Sequence, residues 1–370
     1  MAIPLKEYFS TELYDRLAES LSRQLPDFPK QAFLNSIFSE DWKNLELKER
    51  SRHTTIILGN YLPDVYKDAI EVLKGMIQEW RDRGIEGHSI EYMFLPEFIE
   101  VFGLEQYEQS VLAMEEITQF FSCEFAVRPF FIRYQKDMCR QMSEWTTHPN
   151  HHVRRLASEG IRPRLPWAMA LPAFKEDPSP ILPILEQLKN DPSEYVRRSV
   201  ANNLNDISKD HPEVVLEVCT RWKGLSPETD KLVKHACRTL LKAGNPAALA
   251  LFGLGYNAGI QLQDLQLEQS SIQLGEYLHF TCTVSNQNPH PQIIRLEYAI
   301  YYQKANGSLS RKVFKISEKE YAPQDSIRIE RRQHFKRIST RRYHSGLHQL
   351  SIILNGKEFP RHDFELHILP

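Results

Sequence analysis

Apolar residues recur at steps of three and four positions through roughly the first 250 residues of the 370-residue chain. In residues 62–80 these positions are Tyr66, Ile70, Leu73, Ile77 and Trp80, with Pro63 expected in the first helical turn. The same spacing runs through residues 110–121, where it ends at Phe121. Such a period is typical of helices with one buried face. It predicts many helices of moderate length joined by short turns.

Within this region one pattern occurs three times, in HPNHHVRRLASEGI from residue 148, DPSEYVRRSVANNL from residue 191 and SPETDKLVKHACRTL from residue 226. The aligned valines are Val153, Val196 and Val233, which stand 43 and 37 residues apart. A period of about 40 residues with two helices per unit is that of HEAT or armadillo repeats. Asp191 is the expected N-cap of the middle copy. Each unit has an apolar stripe that a neighbour must cover, so the repeats are expected to stack as a solenoid.

After residue 250 the pattern changes to alternation with a period of two. Three glycines fall within residues 253–259, and alternating segments follow at 260–269, 277–286, 292–303, 326–332 and 347–356. Asn-Pro and Asn-Gly pairs separate several of them. About seven short strands predict an immunoglobulin-like sandwich. The predicted fold class is therefore mainly α, with a HEAT-like helical-repeat solenoid at 1–255 followed by an all-β immunoglobulin-like domain at 263–370.

Composition excludes several classes of protein. The hydrophobic fraction of 41% is that of a folded chain, and the formal net charge is −2. No apolar run reaches the ~18–20 residues of a membrane span. The five cysteines include no C-x-x-C pair, which predicts reduced thiols in a cytoplasmic protein. His148, His151 and His152 cluster without a nearby Cys or acid, so no metal or other cofactor is expected.

The near-neutral charge hides a basic surface on the predicted repeats. The two residues after each aligned valine are Arg154 and Arg155, Arg197 and Arg198, and Lys234 and His235. Stacked repeats would align these side chains in two columns, which is a plausible track for phosphates. The alternative is that the arginines pair with acids of the adjoining repeat. The sequence alone leaves both interpretations open.

Three acidic residues stand out against this basic surface. Glu159 and Asp206 are expected on the helical face that carries the second column of basic residues. Glu124 is the only acid between Glu116 and Asp137, in what reads as an aromatic helix, and burial there would make it a candidate functional acid. The alternatives are ordinary salt bridges, Arg155 with Glu159 and Arg128 with Glu124.

The β-domain has its own basic cluster. Residues 261–370 carry 15 basic and 11 acidic side chains, a balance of +4, whereas residues 1–260 carry 31 and 37, a balance of −6. No Asp or Glu occurs from 331 to 357. The cluster comprises Arg331, Arg332, Lys336, Arg337, Arg341 and Arg342. With Phe335 and Tyr343 between them, these residues predict a loop that binds a nucleic-acid backbone.

Three segments carry a resemblance to a known family. They are S-C-E-F-A-V-R-P-F at 122–130, the run from H-P-N at 148 to R-P-R-L-P-W at 167, and D-P-S-E-Y-V-R-R at 191–198. The chain resembles the AlkC branch of the HEAT-like DNA alkylation-repair glycosylases. The resemblance covers essentially the whole length, including the β-domain. It implies a monofunctional enzyme that excises cationic N-alkylated bases such as 3-methyladenine from duplex DNA in base excision repair.

The resemblance also implies roles for particular residues. Glu124, Asp206 and Glu159 would be the catalytic acids, and Trp167 would bind the substrate as an aromatic wall. The expected DNA-binding residues are Arg154, Arg155, Arg162, Arg164, Arg197, Arg198, Lys336, Arg337, Arg341 and Arg342. We expect a monomer that needs no cofactor and does not bind membranes. It would act in the cytoplasm, associated with the nucleoid through its binding to DNA. The alternative is a non-enzymatic HEAT-repeat scaffold for a protein or RNA partner.

Overall fold

A computed structural model describes residues 3–338 and 341–368 of the chain. In that part the helices are α1 Thr11–Gln24, α2 Lys30–Ile37, α3 Leu47–Tyr61, α4 Tyr66–Asp82, α5 Phe94–Phe102, α6 Tyr107–Ile117, α7 Val127–Arg133, α8 Gln135–Trp145, α9 His151–Glu159, α10 Pro172–Glu176, α11 Leu182–Leu188, α12 Glu194–Ile207, α13 Pro212–Trp222, α14 Pro227–Ala236, α15 Arg238–Ala243 and α16 Pro246–Leu251. The strands are β1 Ile260–Leu267, β2 Ser271–Gln273, β3 Tyr277–Asn286, β4 Gln292–Gln303, β5 Leu309–Tyr321, β6 Ser326–His334, β7 Gly346–Leu354, β8 Lys357–Glu358 and β9 His362–His367. The predicted succession of a helical region and a strand-rich region is confirmed.

The helical period places apolar residues in the core as expected. In α4, Ile70, Leu73, Ile77 and Trp80 are all buried. The helix begins at Tyr66, so Pro63 precedes it and does not stand in its first turn. Helix α6 ends at Ile117, and the residues that follow form a turn. No helix among the described residues is both long and apolar enough to span a membrane.

Three helices carry the repeated sequence pattern. Val153 in α9, Val196 in α12 and Val233 in α14 are all fully buried. Helix α12 packs against α9 on one side and α14 on the other. The N-cap of α12 is Ser193 and not Asp191, because the helix begins at Glu194. The Asp191 carboxylate accepts a hydrogen bond from the Ser193 backbone nitrogen at 2.8 Å, just before the helix.

The chain divides into two compact units. One comprises Met1–Val215 and Trp222–Ala236, and the other comprises Leu216–Arg221 and Cys237–Pro370. The second unit therefore includes α15 and α16 as well as the strands. Inside it, the Asn355 side chain donates a hydrogen bond to the backbone oxygen of Ile293 at 3.0 Å and accepts one from the backbone nitrogen of Arg295 at 2.7 Å.

The strands form two sheets with an apolar core. One sheet has the order β1-β3-β6, and the other has the order β2-β9-β7-β4-β5. Leu278, Phe280 and Cys282 alternate along β3 and are buried, as the period of two predicts. The turn between β7 and β8 is Asn355-Gly356, with φ of 45° and 80°. Positive φ at both central residues is the requirement of a tight hairpin turn, and Asn-Gly meets it.

Candidate active site

Glu124 lies in a turn, not in a helix. The turn connects α6 with α7, and its geometry is fixed in part by Thr118 Oγ1, which accepts a hydrogen bond from the Cys123 backbone nitrogen at 3.3 Å. The prediction of an aromatic helix around Glu124 is therefore wrong. Glu124 is also not paired with Arg128, whose buried guanidinium donates to the backbone oxygens of Gly160 and Met169.

Arg155 connects Glu124 to Glu159. Its guanidinium donates to Oε2 of Glu124, and Ser122 Oγ donates to the same oxygen at 2.9 Å. Its Nη2 lies 3.4 Å from Oε1 of Glu159, which ends α9. The guanidinium also stands 4.9 Å from the centre of the Tyr195 ring. These contacts hold the Arg155 guanidinium between two carboxylates and over one aromatic ring.

Arg162 connects Glu159 to Asp206. Its Nη1 donates to Glu159 Oε1 at 2.6 Å, and its Nε donates to Asp206 Oδ2 at 2.8 Å. Asp206 Oδ1 accepts a further hydrogen bond from Lys209 Nζ at 2.9 Å. Arg162 is among the residues predicted to bind DNA, yet it is buried and paired with two carboxylates. Arg162 is therefore placed to orient Glu159 and Asp206.

The structure thus brings the three predicted catalytic acids into one continuous ion-pair chain. The ion-pair chain comprises Glu124, Arg155, Glu159, Arg162, Asp206 and Lys209. Its carboxylates differ in access to solvent, since the side chain of Glu124 is 20% exposed, that of Glu159 5% and that of Asp206 2%. Glu124 is therefore the acid that an external molecule can reach most readily.

Electrostatic interactions keep Glu159, at the buried centre of the ion-pair chain, ionised. Burial acts to raise the pKa of Glu159, but the guanidiniums of Arg155 and Arg162 and the hydroxyl of Ser199 together hold that pKa below its usual value. Ser199 Oγ donates to Glu159 Oε2 at 2.6 Å. Burial lowers the pKa of the neighbouring Arg128 to about 10, an effect that Arg162 reinforces. Glu159 is thus a carboxylate at neutral pH despite its burial.

Lys209, Ser199 and Tyr195 belong to this site but were not predicted from the sequence. Lys209 stands three residues after Asp206, and that spacing on a helix end is a usable signal for an ion pair. Ser199 and Tyr195 offered no signal, because their partners lie in α9, which reaches them only when the repeats pack.

Trp167 lies outside the ion-pair chain, in the loop before α10. Its side chain is exposed, and its backbone φ of 66° is in the left-handed region, which a bulky residue adopts only under constraint. Two hydrogen bonds provide the constraint. Lys48 Nζ donates to the backbone oxygen of Trp167, and the Leu171 backbone nitrogen donates to the backbone oxygen of Pro163 at 3.2 Å. The loop therefore holds the indole away from the core.

The other predicted DNA-binding arginines of the repeats are mostly paired. Arg154 donates to both carboxylate oxygens of Asp191, at 2.6 and 3.0 Å, and Arg164 makes a similar pair with Asp210. Arg197 donates to the backbone oxygens of Asp191 and Pro192. The pairing of Arg154 with an acid of the adjoining repeat is the alternative that the sequence left open. Arg198, by contrast, is exposed.

The basic cluster of the second unit is largely at the surface. Lys336, Arg337 and Arg342 are exposed. The guanidinium of Arg341 instead packs over the Tyr302 ring at 3.6 Å from its centre. No group of three or more His, Cys, Asp or Glu side chains in residues 3–338 and 341–368 is arranged to hold a metal ion.

Comparison with known proteins assigns the chain to a family. The model of the DNA alkylation repair enzymes matches residues 99–231, and that of the C-terminal immunoglobulin-like domain of YhaZ matches residues 261–368. YhaZ of Bacillus subtilis is 44% identical over 362 residues, which are 98% of this chain and 99% of YhaZ.

A solved structure is similar over the whole length. It is the alkylpurine DNA glycosylase AlkC of Pseudomonas fluorescens bound to DNA that contains an abasic-site analogue, with a TM-score of 0.93 and 34% identity. The match covers 99% of this chain and 100% of that chain. The chain belongs to the DNA alkylation repair enzyme family, in the AlkC branch that carries a C-terminal immunoglobulin-like domain.

Proposed function

We propose that the protein is a monofunctional DNA glycosylase that releases cationic N-alkylated bases, such as 3-methyladenine, from duplex DNA. The ion-pair chain carries this proposal, because it gathers three carboxylates from distant parts of the sequence at one place. The relative AlkC, described as an alkylpurine DNA glycosylase, supports the same reaction class.

The reaction depends more on a negatively charged carboxylate near the sugar than on a group that donates a proton to the base. Alkylation of a ring nitrogen gives the base a positive charge, so the bond from the sugar carbon C1′ to the base breaks easily. The bonding electron pair leaves with the base, and positive charge develops on the sugar. A fixed carboxylate at that point stabilises the charge and orients the attacking water, whose oxygen bonds to C1′ while one of its protons passes to the carboxylate and then to solvent.

The three acids have different parts in this proposal. Glu124 is the most exposed of them and would face the sugar and the water. Glu159 and Asp206 are nearly inaccessible and would act through the arginines that they hold. Trp167 would provide an aromatic surface for the substrate, in line with its exposed ring.

DNA binding would use both units. The packing of α12 between α9 and α14 supports a HEAT-like solenoid along which the duplex lies. Its phosphates would be contacted by the exposed Arg198 and, in the second unit, by Lys336, Arg337 and Arg342. The protein would act as a monomer in the cytoplasm, on the nucleoid.

Single-turnover release of 3-methyladenine from methylated duplex DNA tests the proposal. Glu124→Gln keeps the shape of the side chain but removes its charge, and the rate should fall ~10²–10³-fold. Affinity for DNA with an uncleavable abasic analogue should hold or rise slightly, because one negative charge near phosphates is gone. Glu108→Gln, at an exposed position in the first turn of α6, is the matched control and should keep the wild-type rate.

Two outcomes would contradict the proposal. If the purified wild-type protein binds nucleic acid but releases no base, the non-enzymatic scaffold is the better description. If the Glu124→Gln variant excises the base at the wild-type rate, the protein is a glycosylase whose catalytic acid lies elsewhere.

A further inference from the structure

A cavity of about 490 Å³ lies in the first unit, and none of the residues of the ion-pair chain lines it. Its volume is within the ~300–1,000 Å³ of ordinary small-molecule sites. Residues from α3 and α5 line it, together with Phe125 and Trp167. Because Phe125 directly follows Glu124 in the chain, the turn that carries Glu124 also contributes to the lining of the cavity.

Two aromatic residues in the lining, Trp167 and Phe125, are suited to contact with a flat molecule. Trp167 is 57% exposed, whereas the other four tryptophans are buried: Trp42, Trp80, Trp145 and Trp222. The bond from Lys48 to its carbonyl and its left-handed backbone fix the loop that presents it. An exposed indole held in a strained conformation at a cavity is a surface for stacking, not a core residue.

The lining of the cavity also offers hydrogen-bond acceptors. Glu97 lines the cavity, and its carboxylate is held by Ser51 Oγ and by Arg52 Nε, the latter at 2.8 Å. Arg52 also binds Glu100, at 3.0 Å. The acidic lining residues are Glu49, Glu97 and Glu100, against the basic Lys48 and Arg52, which gives a formal balance of −1. Such a lining disfavours a phosphate and favours a group that donates hydrogen bonds.

We propose that this cavity binds the free base that the reaction releases, stacked on Trp167 and Phe125 with its exocyclic amino group donating to Glu97. The inference rests on the proposed function. When the bond to C1′ breaks, the cationic base keeps the electron pair and departs as a neutral, flat heterocycle with an amino donor. Stacking surfaces and a carboxylate acceptor match that product, and they do not match a nucleotide with its phosphate.

The exposure of Trp167 provides a direct assay. Titration of the full-length protein, without DNA, with free 3-methyladenine should quench tryptophan fluorescence to a saturating level. Trp167→Phe should abolish most of this quenching, because the remaining indoles are buried. Glu97→Ala should weaken the apparent affinity about tenfold, the equivalent of one hydrogen bond to a charged group. The matched control is Ile132→Ala, at an exposed apolar residue outside the cavity lining, which should titrate like the wild type.

Ligand choice tests the orientation of the base. Hypoxanthine carries a carbonyl where adenine carries its amino group, so it should bind the wild type less well than adenine does, and Glu97→Ala should remove the difference. Equal binding of the two bases by the wild type would contradict the role of Glu97. Wild-type quenching that is not saturable, or that survives in Trp167→Phe, would overturn the site itself. The same preparation is assayed for release of base from methylated DNA, so failure of the cavity and failure of the glycosylase proposal are told apart.

Discussion

At the scale of single residues, two arginines, Arg155 and Arg162, join Glu124, Glu159 and Asp206 into one ion-pair chain. In the sequence, Glu159 and Asp206 stand out against basic neighbours, and Glu124 stands out against aromatic ones. The bridges through Arg155 and Arg162 join residues 31 and 44 positions apart, so they depend on how the repeats pack. No local pattern encodes that geometry. Arg162 was predicted to bind DNA because a buried arginine and an exposed one look alike in a sequence.

The pairing of Glu159 makes stability depend on pH. Its folded-state pKa lies below the ordinary glutamate value of about 4.3, so its ionised form stabilises the fold at neutral pH. That contribution is lost as the pH falls through the depressed folded-state pKa. Glu159→Gln should lower the free energy of unfolding by about 3–5 kcal/mol at pH 7, since two buried guanidiniums lose a partner. The deficit should shrink as the pH falls below about 4.3.

Urea unfolding at pH 7, 4 and 3 measures this effect, because the contribution of Glu159 is lost only below its ordinary pKa. Glu86→Gln, at an exposed glutamate outside the ion-pair chain, is the control and should follow the wild type at each pH. A constant deficit across the three pH values would mean that the carboxylate charge of Glu159 is not the source of its contribution.

At the scale of elements, periodicity located the regular segments well and the irregular ones poorly. Strands β3 and β4 have the bounds that alternation predicted, because apolar residues alternate along β3 and make up most of β4. Strand β5, at Leu309–Tyr321, was not predicted, since most of its residues are polar and it lies at the edge of its sheet. The turn at Glu124 was read as helix, because aromatic residues on both sides of a turn also reach the core.

Gly160 controls how closely α9 approaches α7. A Cβ at this position would lie 2.7 Å from Cγ2 of Val127 and 3.0 Å from the Leu156 carbonyl oxygen. Gly160→Ala should therefore destabilise the protein by about 1–3 kcal/mol through overpacking, and slow excision by displacing the adjacent Glu159. Thermal unfolding and single-turnover excision measure the two effects. Gly255→Ala, with open space around the added methyl group, is the matched control, and a Gly160→Ala variant as stable as this control would refute the packing argument.

At the scale of the whole molecule, basic charge is concentrated at the surface of the second unit. If Lys336, Arg337 and Arg342 contact phosphates, replacing all three by alanine should weaken binding to damaged and undamaged DNA alike. The slope of log affinity against log salt should fall in magnitude by about 0.9 for each phosphate that is no longer neutralised. Lys319→Ala serves as the control. In β5, Lys319 pairs with Ile294, and Ile294 lies at the opposite end of β4 from Tyr302, the residue that Arg341 of the basic cluster contacts. An unchanged slope in the triple variant would show that the cluster does not meet the DNA backbone.

The ion-pair chain also bears on how such a protein would search a genome. Its three carboxylates are matched by Arg155, Arg162 and Lys209, so the cluster has a formal charge of zero. Acids placed alone in a DNA-binding groove would repel every undamaged stretch that passed, and slow the inspection of the duplex. Paired with cations, they repel intact DNA much less than free acids would, while the partly exposed carboxylate of Glu124 still attracts a sugar that acquires positive charge next to it. The protein would then distinguish damaged from intact DNA at the bond-breaking step, and not by moving along the two at different speeds.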